Sequence, residues 1–207
     1  MTIIGFGIFL DMNSMDYNIF FENALEGATT AYRESLESCG RKLIELSQWV
    51  CRAFENNGKL ILFGNGGSAA DAQHIAAEFV NRFRLDRKPL PAIALTTDTS
   101  ILTAISNDYH FDQVFSKQVQ ALAGPMDVVL GISTSGNSPN VLKALSVARE
   151  IGARTVGITG GSGGKMDRCS DLVICVASSD TPRIQEVHIF FGHLLCDLVE
   201  QQVFSPV

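Results

Sequence analysis

The stretch from Lys59 to Glu78 leaves the chain few choices of fold. Leu60 to Phe63 is a short continuous apolar run. It leads at once into Gly64-Asn-Gly-Gly-Ser68, and then into an alanine-rich segment with helical spacing. A buried strand, a glycine turn and a helix follow one another without a spacer, which is the start of a βα unit. From there on the pattern repeats. Strands are expected at Ala92–Leu95, Asp127–Ile132, Arg154–Thr159 and Asp171–Val176. Helices are expected at Thr99–Ser106, Phe111–Leu122, Pro139–Ile151 and from about Pro182 to Val203. Alternation of this kind predicts right-handed crossovers and a doubly wound, parallel sheet in one domain.

Two amphipathic helices are expected ahead of the first strand. The first runs from Tyr17 to about Leu36. The second runs from Arg41 to Asn57 and stops at Asn56-Asn57-Gly58. Helices placed there need a cover, and an oligomer interface or their own sheet would supply it. The apolar segment Ile3–Leu10 is too short to span a bilayer and has no basic residue before it, so it reads as an extension rather than a signal peptide.

A net charge of −6, with no Lys/Arg cluster, excludes a general nucleic-acid binder. An anionic ligand must then be held by backbone N–H groups and hydroxyls. The five cysteines are scattered and never spaced as CxxC, which fits a reducing compartment better than a disulfide or thiolate-zinc framework.

Ligands of such sheets bind beyond the carboxyl ends of the strands. Three loops fall there. Gly64–Ser68 opens a helix whose N-terminus favours an anion. Ser133-Thr-Ser-Gly-Asn-Ser138 carries four hydroxyls (Ser133, Thr134, Ser135, Ser138) directly before a helix, and is the better phosphate cradle. Thr159–Gly164 reads as turn chemistry. On the helix after the first loop, His74 and Glu78 are spaced i,i+4 on one face, either as a solvated pair or as acid/base or metal-ligating groups. In the last helix His188 and His193 point about 140° apart, so one site does not take both. The segment alone does not choose between them.

Taken in order, several motifs resemble one known group. They are Gly-Asn-Gly-Gly-Ser68, Asp71-Ala-x-His-x3-Glu78, Asn107-Asp108, Gly131-Ile-Ser-Thr-Ser-Gly-Asn-Ser138 and Arg183-Ile-Gln-Glu-x-His-x4-His193. That group is the phosphoheptose isomerases, the sedoheptulose 7-phosphate isomerases of the sugar isomerase (SIS) domain family. The resemblance covers the chain after about Met15, so residues 15–207 are expected to form one SIS domain with a helical arm, and residues 1–14 stay unassigned. It implies a three-layer αβα sandwich, flavodoxin-like, with a mostly parallel sheet. It also implies a cytoplasmic homotetramer with shared active sites, feeding bacterial heptose (lipopolysaccharide core or related glycan) synthesis. No nucleic-acid or membrane partner is expected.

Carried over to this chain, Glu78 and His193 are the acid/base residues. Asn65, Gly66, Gly67, Ser68, Glu78, Asn107, Asp108, Ser133, Thr134, Ser135, Ser138 and Gln185 contact the sugar phosphate. His74, Glu78, Gln185 and His193 form a zinc set. A second SIS group, which binds the bacterial replication initiator, shares the look of Pro91–Leu95, Lys117–Val119 and Leu195–Leu198. That group lacks the Glu and the last His, and a binding module has no use for a carboxylate and an imidazole beside a phosphate-sized cradle.

Overall fold

A computed structural model describes residues 16–204. The expectations for Ile3–Leu10 and residues 1–14 concern residues outside that range. The chain forms helix α1 (Tyr17–Glu55), strand β1 (Leu60–Gly64), α2 (Gly67–Val80), β2 (Ala92–Ala94), α3 (Thr99–Asp108), α4 (Ser116–Leu122) and β3 (Val128–Ile132). It continues with α5 (Pro139–Ile151), β4 (Arg154–Gly160), β5 (Leu172–Val176) and α6 (Thr181–Phe204). The five strands are all parallel, in the order β2-β1-β3-β4-β5. That is the flavodoxin-like winding, with its switch point between β1 and β3.

Alternate residues along each strand feed two separate cores. Leu60, Leu62, Leu130, Ile158 and Ile174 face α1, α2 and α6. Ile61, Phe63, Val129 and Val173 face α4 and α5. The central strands are apolar on both faces because both faces are covered.

The two N-terminal helices expected from the sequence are one continuous helix. Its buried stripe (Ala31, Ser35, Cys39, Leu43, Leu46, Val50, Ala53) keeps its register through the expected break. Gly40 lies beside that stripe, and a Cβ there would meet only Leu36 Cδ1, at 3.8 Å. A mid-helix glycine disfavours the helix by about 1 kcal/mol, which packing on α6 and β5 outweighs. Asp16 caps the start, its Oδ1 accepting from the N–H of Asn18 at 3.0 Å. At the start of α1 Tyr17, Ile19, Phe20, Phe21 and Leu25 are 47–70% exposed, and Arg183 Nη1 donates to the Ala24 carbonyl at 2.8 Å.

The expected helix Phe111–Leu122 is likewise divided, into a 3-10 turn at Phe111–Gln113 and α4. The joint lets Val114 and Phe115 both turn inward, at 0% and 2% exposure. Among the described residues no helix is long and apolar enough to cross a membrane.

Candidate active site

The first and second loops lie at the carboxyl ends of neighbouring strands and are tied by a reciprocal amide pair. Asn65 Nδ2 donates to Asn140 Oδ1 at 2.9 Å, and Asn140 Nδ2 donates to Asn65 Oδ1 at 2.8 Å. Asn65 is therefore a strut between the two loops as well as a lining residue. Gly66 and Gly67 are exposed, and Ser68 is buried with its N–H donating to the Asn65 carbonyl at 3.0 Å.

In the second loop Ser133 and Ser138 share a hydrogen bond of 2.8 Å between their hydroxyls. Ser138 occupies the N-cap of α5 without a side-chain capping bond. Pro139 has no N–H, and the N–H of Val141 donates to Asn140 Oδ1 at 2.9 Å. Fewer helix N–H groups are left for an anion than the sequence suggests, so the hydroxyls take the larger share.

The third loop is a buttress, a role that its turn-like sequence hides. Gly160 N–H donates to the Thr134 carbonyl at 3.1 Å, and Lys165 N–H to the Gly136 carbonyl at 2.9 Å. Gly136 has φ +64°, and a Cβ there would overlap the Gly163 carbonyl. Thr134, Ser135, Ser162, Ser179 and Thr181 line a cavity of about 350 Å³ between the two loops. Its hydroxyl lining suits an anion that carries its own acceptors.

Helices α2 and α6 both leave the carboxyl edge of the sheet and pack along one another. At the top, a Cβ on Gly67 would sit 2.6 Å from Gln185 Nε2. Further down, His74 Nε2 lies 3.0 Å from His193 Nε2 and 3.3 Å from Glu78 Oε1. At 1.5 Å per residue this meeting point is ~10 Å along α2 from Gly67. Gly192 makes the approach possible, because a Cβ there would lie 2.6 Å from Ile75 Cδ1.

One of the two facing Nε2 atoms must carry a proton for their contact to be attractive. A proton on His74 Nε2 also satisfies Glu78, whereas one on His193 alone leaves a lone pair facing the carboxylate. The Phe83 ring stacks on His193 with centroids 5.5 Å apart and planes 22° apart. Burial raises the Asp71 carboxyl to about 6, against the pull of His74. Asp71 Oδ2 is buried without a hydrogen-bond partner.

His188 sits in the core at 1% exposure, separate from His193. Burial lowers it to about 4. The Thr159 backbone opposes that, yet neither ring nitrogen reaches hydrogen-bond geometry.

The structure thus brings together His74, Glu78 and His193, and separately the second and third loops. Gln185 makes no hydrogen bond to His74, Glu78 or His193. Asn107 and Asp108 end α3, exposed, with Asn107 Nδ2 donating to Asp108 Oδ1 at 2.9 Å and no bond to another site residue. Sequence reasoning missed Asn140 and Phe83, whose partners lie 75 and 110 residues away along the chain.

Two imidazoles and a carboxylate are a fitting donor set for zinc, whose tetrahedral ligands stand ~3.4 Å apart. The two close pairs, at 3.0 and 3.3 Å, approach that spacing. They share His74 but do not yet form a shell: among the described residues no group of three or more His, Cys, Asp or Glu is arranged around a metal position.

The SIS domain family profile matches residues 25–160. The phosphoheptose isomerase of Nitratidesulfovibrio vulgaris is 54% identical over 189 residues, covering 91% of this chain and 90% of that one. Among solved structures, the phosphoheptose isomerase of Neisseria gonorrhoeae superposes with a TM-score of 0.85 at 41% identity, over 90% of this chain and all of the other. That of Francisella tularensis superposes at 0.87 with 36% identity, over the same 90% and again all of the other.

Proposed function

The chain belongs to the phosphoheptose isomerases of the SIS domain family, and from that premise we propose that it interconverts sedoheptulose 7-phosphate and D-glycero-D-manno-heptose 7-phosphate. It is an aldose–ketose isomerase acting on a sugar phosphate. The observation that carries the mechanism is the meeting of His74, Glu78 and His193 from two helices.

An aldose–ketose exchange moves one proton between neighbouring carbons and one between neighbouring oxygens. In this reading Glu78 takes the proton from C1 of the ketose, next to the C2 carbonyl. The resulting cis-enediolate accepts that proton back at C2. His193 carries the second proton from the C1 oxygen to the C2 oxygen. His74, within 3.0 Å of His193 and 3.3 Å of Glu78, fixes the two against each other. The hydroxyls of Ser133, Thr134, Ser135 and Ser138, with Gly66 and Gly67, anchor the distant phosphate. That remote binding energy orients the reacting end. The ~10 Å along α2 from Gly67 to His74 suits an extended sugar phosphate. Zinc, held by His74, Glu78 and His193, would polarise the carbonyl and stabilise the enediolate, with Gln185 left at the Gly67 end of the site.

The working form in this proposal is a cytoplasmic homotetramer whose sites are shared between chains. Two features support that: the exposed apolar start of α1 and the position of Asn107 and Asp108 on an exposed helix. Its product would enter bacterial heptose synthesis for lipopolysaccharide core or a related glycan. The initiator-binding alternative finds no support among these relatives, which are isomerases.

The test is to incubate the protein with sedoheptulose 7-phosphate and follow both sugars by NMR. The expected result is an aldose 7-phosphate approaching the same equilibrium from either side. No conversion, together with retention on an immobilised replication initiator, would reverse the assignment.

A further inference from the structure

Below the His74–His193 contact lies a buried ion pair that the mechanism above does not use. Arg87 and Glu200 have side chains 3% and 1% exposed, with Arg87 Nε 2.9 Å from Glu200 Oε1. Glu200 lies seven residues after His193 on α6, so the two share a helix face. Its carboxylate accepts the N–H groups of Phe83 at 2.9 Å, Arg84 at 2.9 Å and Leu85 at 3.0 Å. Arg87 donates through Nη2 to the carbonyl of Glu78 at 2.9 Å and through Nη1 to that of Phe79 at 2.7 Å.

One buried pair thus grips the backbone of Glu78, which carries the carbon base, and of Phe83, whose ring stacks on His193. Burying two charges needs a reason, because well-packed apolar residues are often as stable or more so. Here the charges supply what apolar residues do not: directed bonds to backbone groups on either side of the reacting cluster.

We propose that Arg87 and Glu200 are positioning residues for the isomerisation, and that Glu200 acts on His193 through Phe83. The inference rests on the isomerase reading of the site. Holding the end of α2 fixes Glu78, and seating Phe83 fixes the plane of the His193 imidazole. The phosphate end of the substrate, held by the seryl loop, is untouched. Displacement of a reacting group by about 1 Å lowers a rate on the order of a hundredfold.

The test uses Phe83→Leu, Phe83→Tyr, Glu200→Gln and the double variant Glu200→Gln/Phe83→Leu. Phe83→Leu keeps the backbone N–H and an apolar side chain but loses the ring. Its kcat on sedoheptulose 7-phosphate should fall ten- to a hundredfold, on the order set by such displacements. Its KM should stay within about twofold, since ground-state binding is unchanged. Its thermal midpoint should fall only slightly, since Phe83 packs on the core but is partly exposed. Phe83→Tyr, which keeps the stack, should retain kcat within roughly threefold. The double variant should lose less than the product of the two single losses, because the Phe83 route is common to both.

A readout independent of turnover is the ring-current shift of the His193 ring protons in NMR spectra. Phe83→Leu should abolish it, Phe83→Tyr keep it and Glu200→Gln reduce it, with His110 unmoved. Normal kcat in Phe83→Leu, no rescue by tyrosine, multiplying losses in the double variant, or an unmoved shift in Glu200→Gln each overturns the proposal. If Glu200→Gln does not fold, the Phe83 pair decides alone. Variants that shift the His193 resonances as described, with an unmodified protein that turns over no heptose phosphate, would sink the isomerase reading and leave the positioning intact.

Discussion

Replacing Gly192 by alanine tests how tightly α2 and α6 must approach for the site to form. Two effects oppose each other. Alanine favours a helix interior over glycine by about 1 kcal/mol. The added methyl, however, would sit 2.6 Å from Ile75 Cδ1 and 2.7 Å from Ile75 Cγ1, inside van der Waals contact. Ile75 is 1% exposed and cannot swing into solvent. Overpacking of this kind in a close-packed core is worth about 1–3 kcal/mol of destabilisation. The clash wins, leaving a net loss of ~0–2 kcal/mol. The larger effect falls on the next residue. Relief of the clash separates the helices, and the 3.0 Å contact of His193 with His74 opens. Turnover should fall at least tenfold while KM, which the proposed binding mode assigns to the seryl loop, stays within about twofold. Urea unfolding and steady-state kinetics read both quantities. Ile75→Ala alone should destabilise by about 2–5 kcal/mol, leaving a cavity that the new methyl partly fills. The double variant should then be more stable and more active than the sum of the singles predicts. Gly192→Ala that is more stable by about 1 kcal/mol with unchanged kcat would refute the reasoning, because propensity alone would then act.

Other outcomes follow from the same geometry. Gly136→Ala combines φ +64° with overlap on the Gly163 carbonyl; it should raise KM for the sugar phosphate by about tenfold or more with a smaller change in kcat, read by initial rates. His188 has an ordinary value of 6.5 lowered to about 4. Between these pH values the unfolded chain takes up a proton that the folded chain refuses, so stability falls as pH falls, by ~3 kcal/mol at pH 4. Asp71 acts in the opposite sense between 3.8 and about 6, holding in the folded chain a proton that the unfolded chain has lost. Comparing unfolding midpoints of His188→Leu and the unmodified protein at pH 7 and 4.5 isolates the histidine, and equal pH dependence in the two proteins contradicts it. Dialysis against a strong chelator should lower turnover, and added zinc should restore it in the unmodified protein but not in His74→Ala. Phe21→Asp with Leu25→Asp should dissociate the proposed tetramer in sedimentation and reduce turnover with it, since both residues are more than 60% exposed in the single chain.

Much of the fold was legible because its signals are local. Leu60–Gly64, Val128–Ile132 and Leu172–Val176 are short apolar runs that only a strand covered on both faces explains. The continuity of α1 was not legible, since Gly40 looks like a boundary until its neighbours on α6 and β5 exist. In the site, the hydroxyl pattern of Ser133–Ser138 and the spacing of His74 and Glu78 stand in the sequence itself. The Asn65–Asn140 strut, the seating of Phe83 on His193 and the grip of Glu200 on residues 83–85 do not. Each joins residues 75 to 117 positions apart, where no local propensity or periodicity carries a signal. The third loop illustrates the same limit. Gly164, which reads as part of a plain turn, is required by the Ser135 and Gly136 carbonyls packed against it.

The proposed mechanism rests on Glu78 moving the carbon-bound proton. It is tested most directly by the turnover of sedoheptulose 7-phosphate by Glu78→Gln, measured on protein whose thermal midpoint and assembly match the unmodified chain. The amide keeps the size of the side chain and loses its basicity, so kcat should fall roughly a hundred- to ten-thousandfold. Turnover within about twofold of the unmodified protein would contradict it.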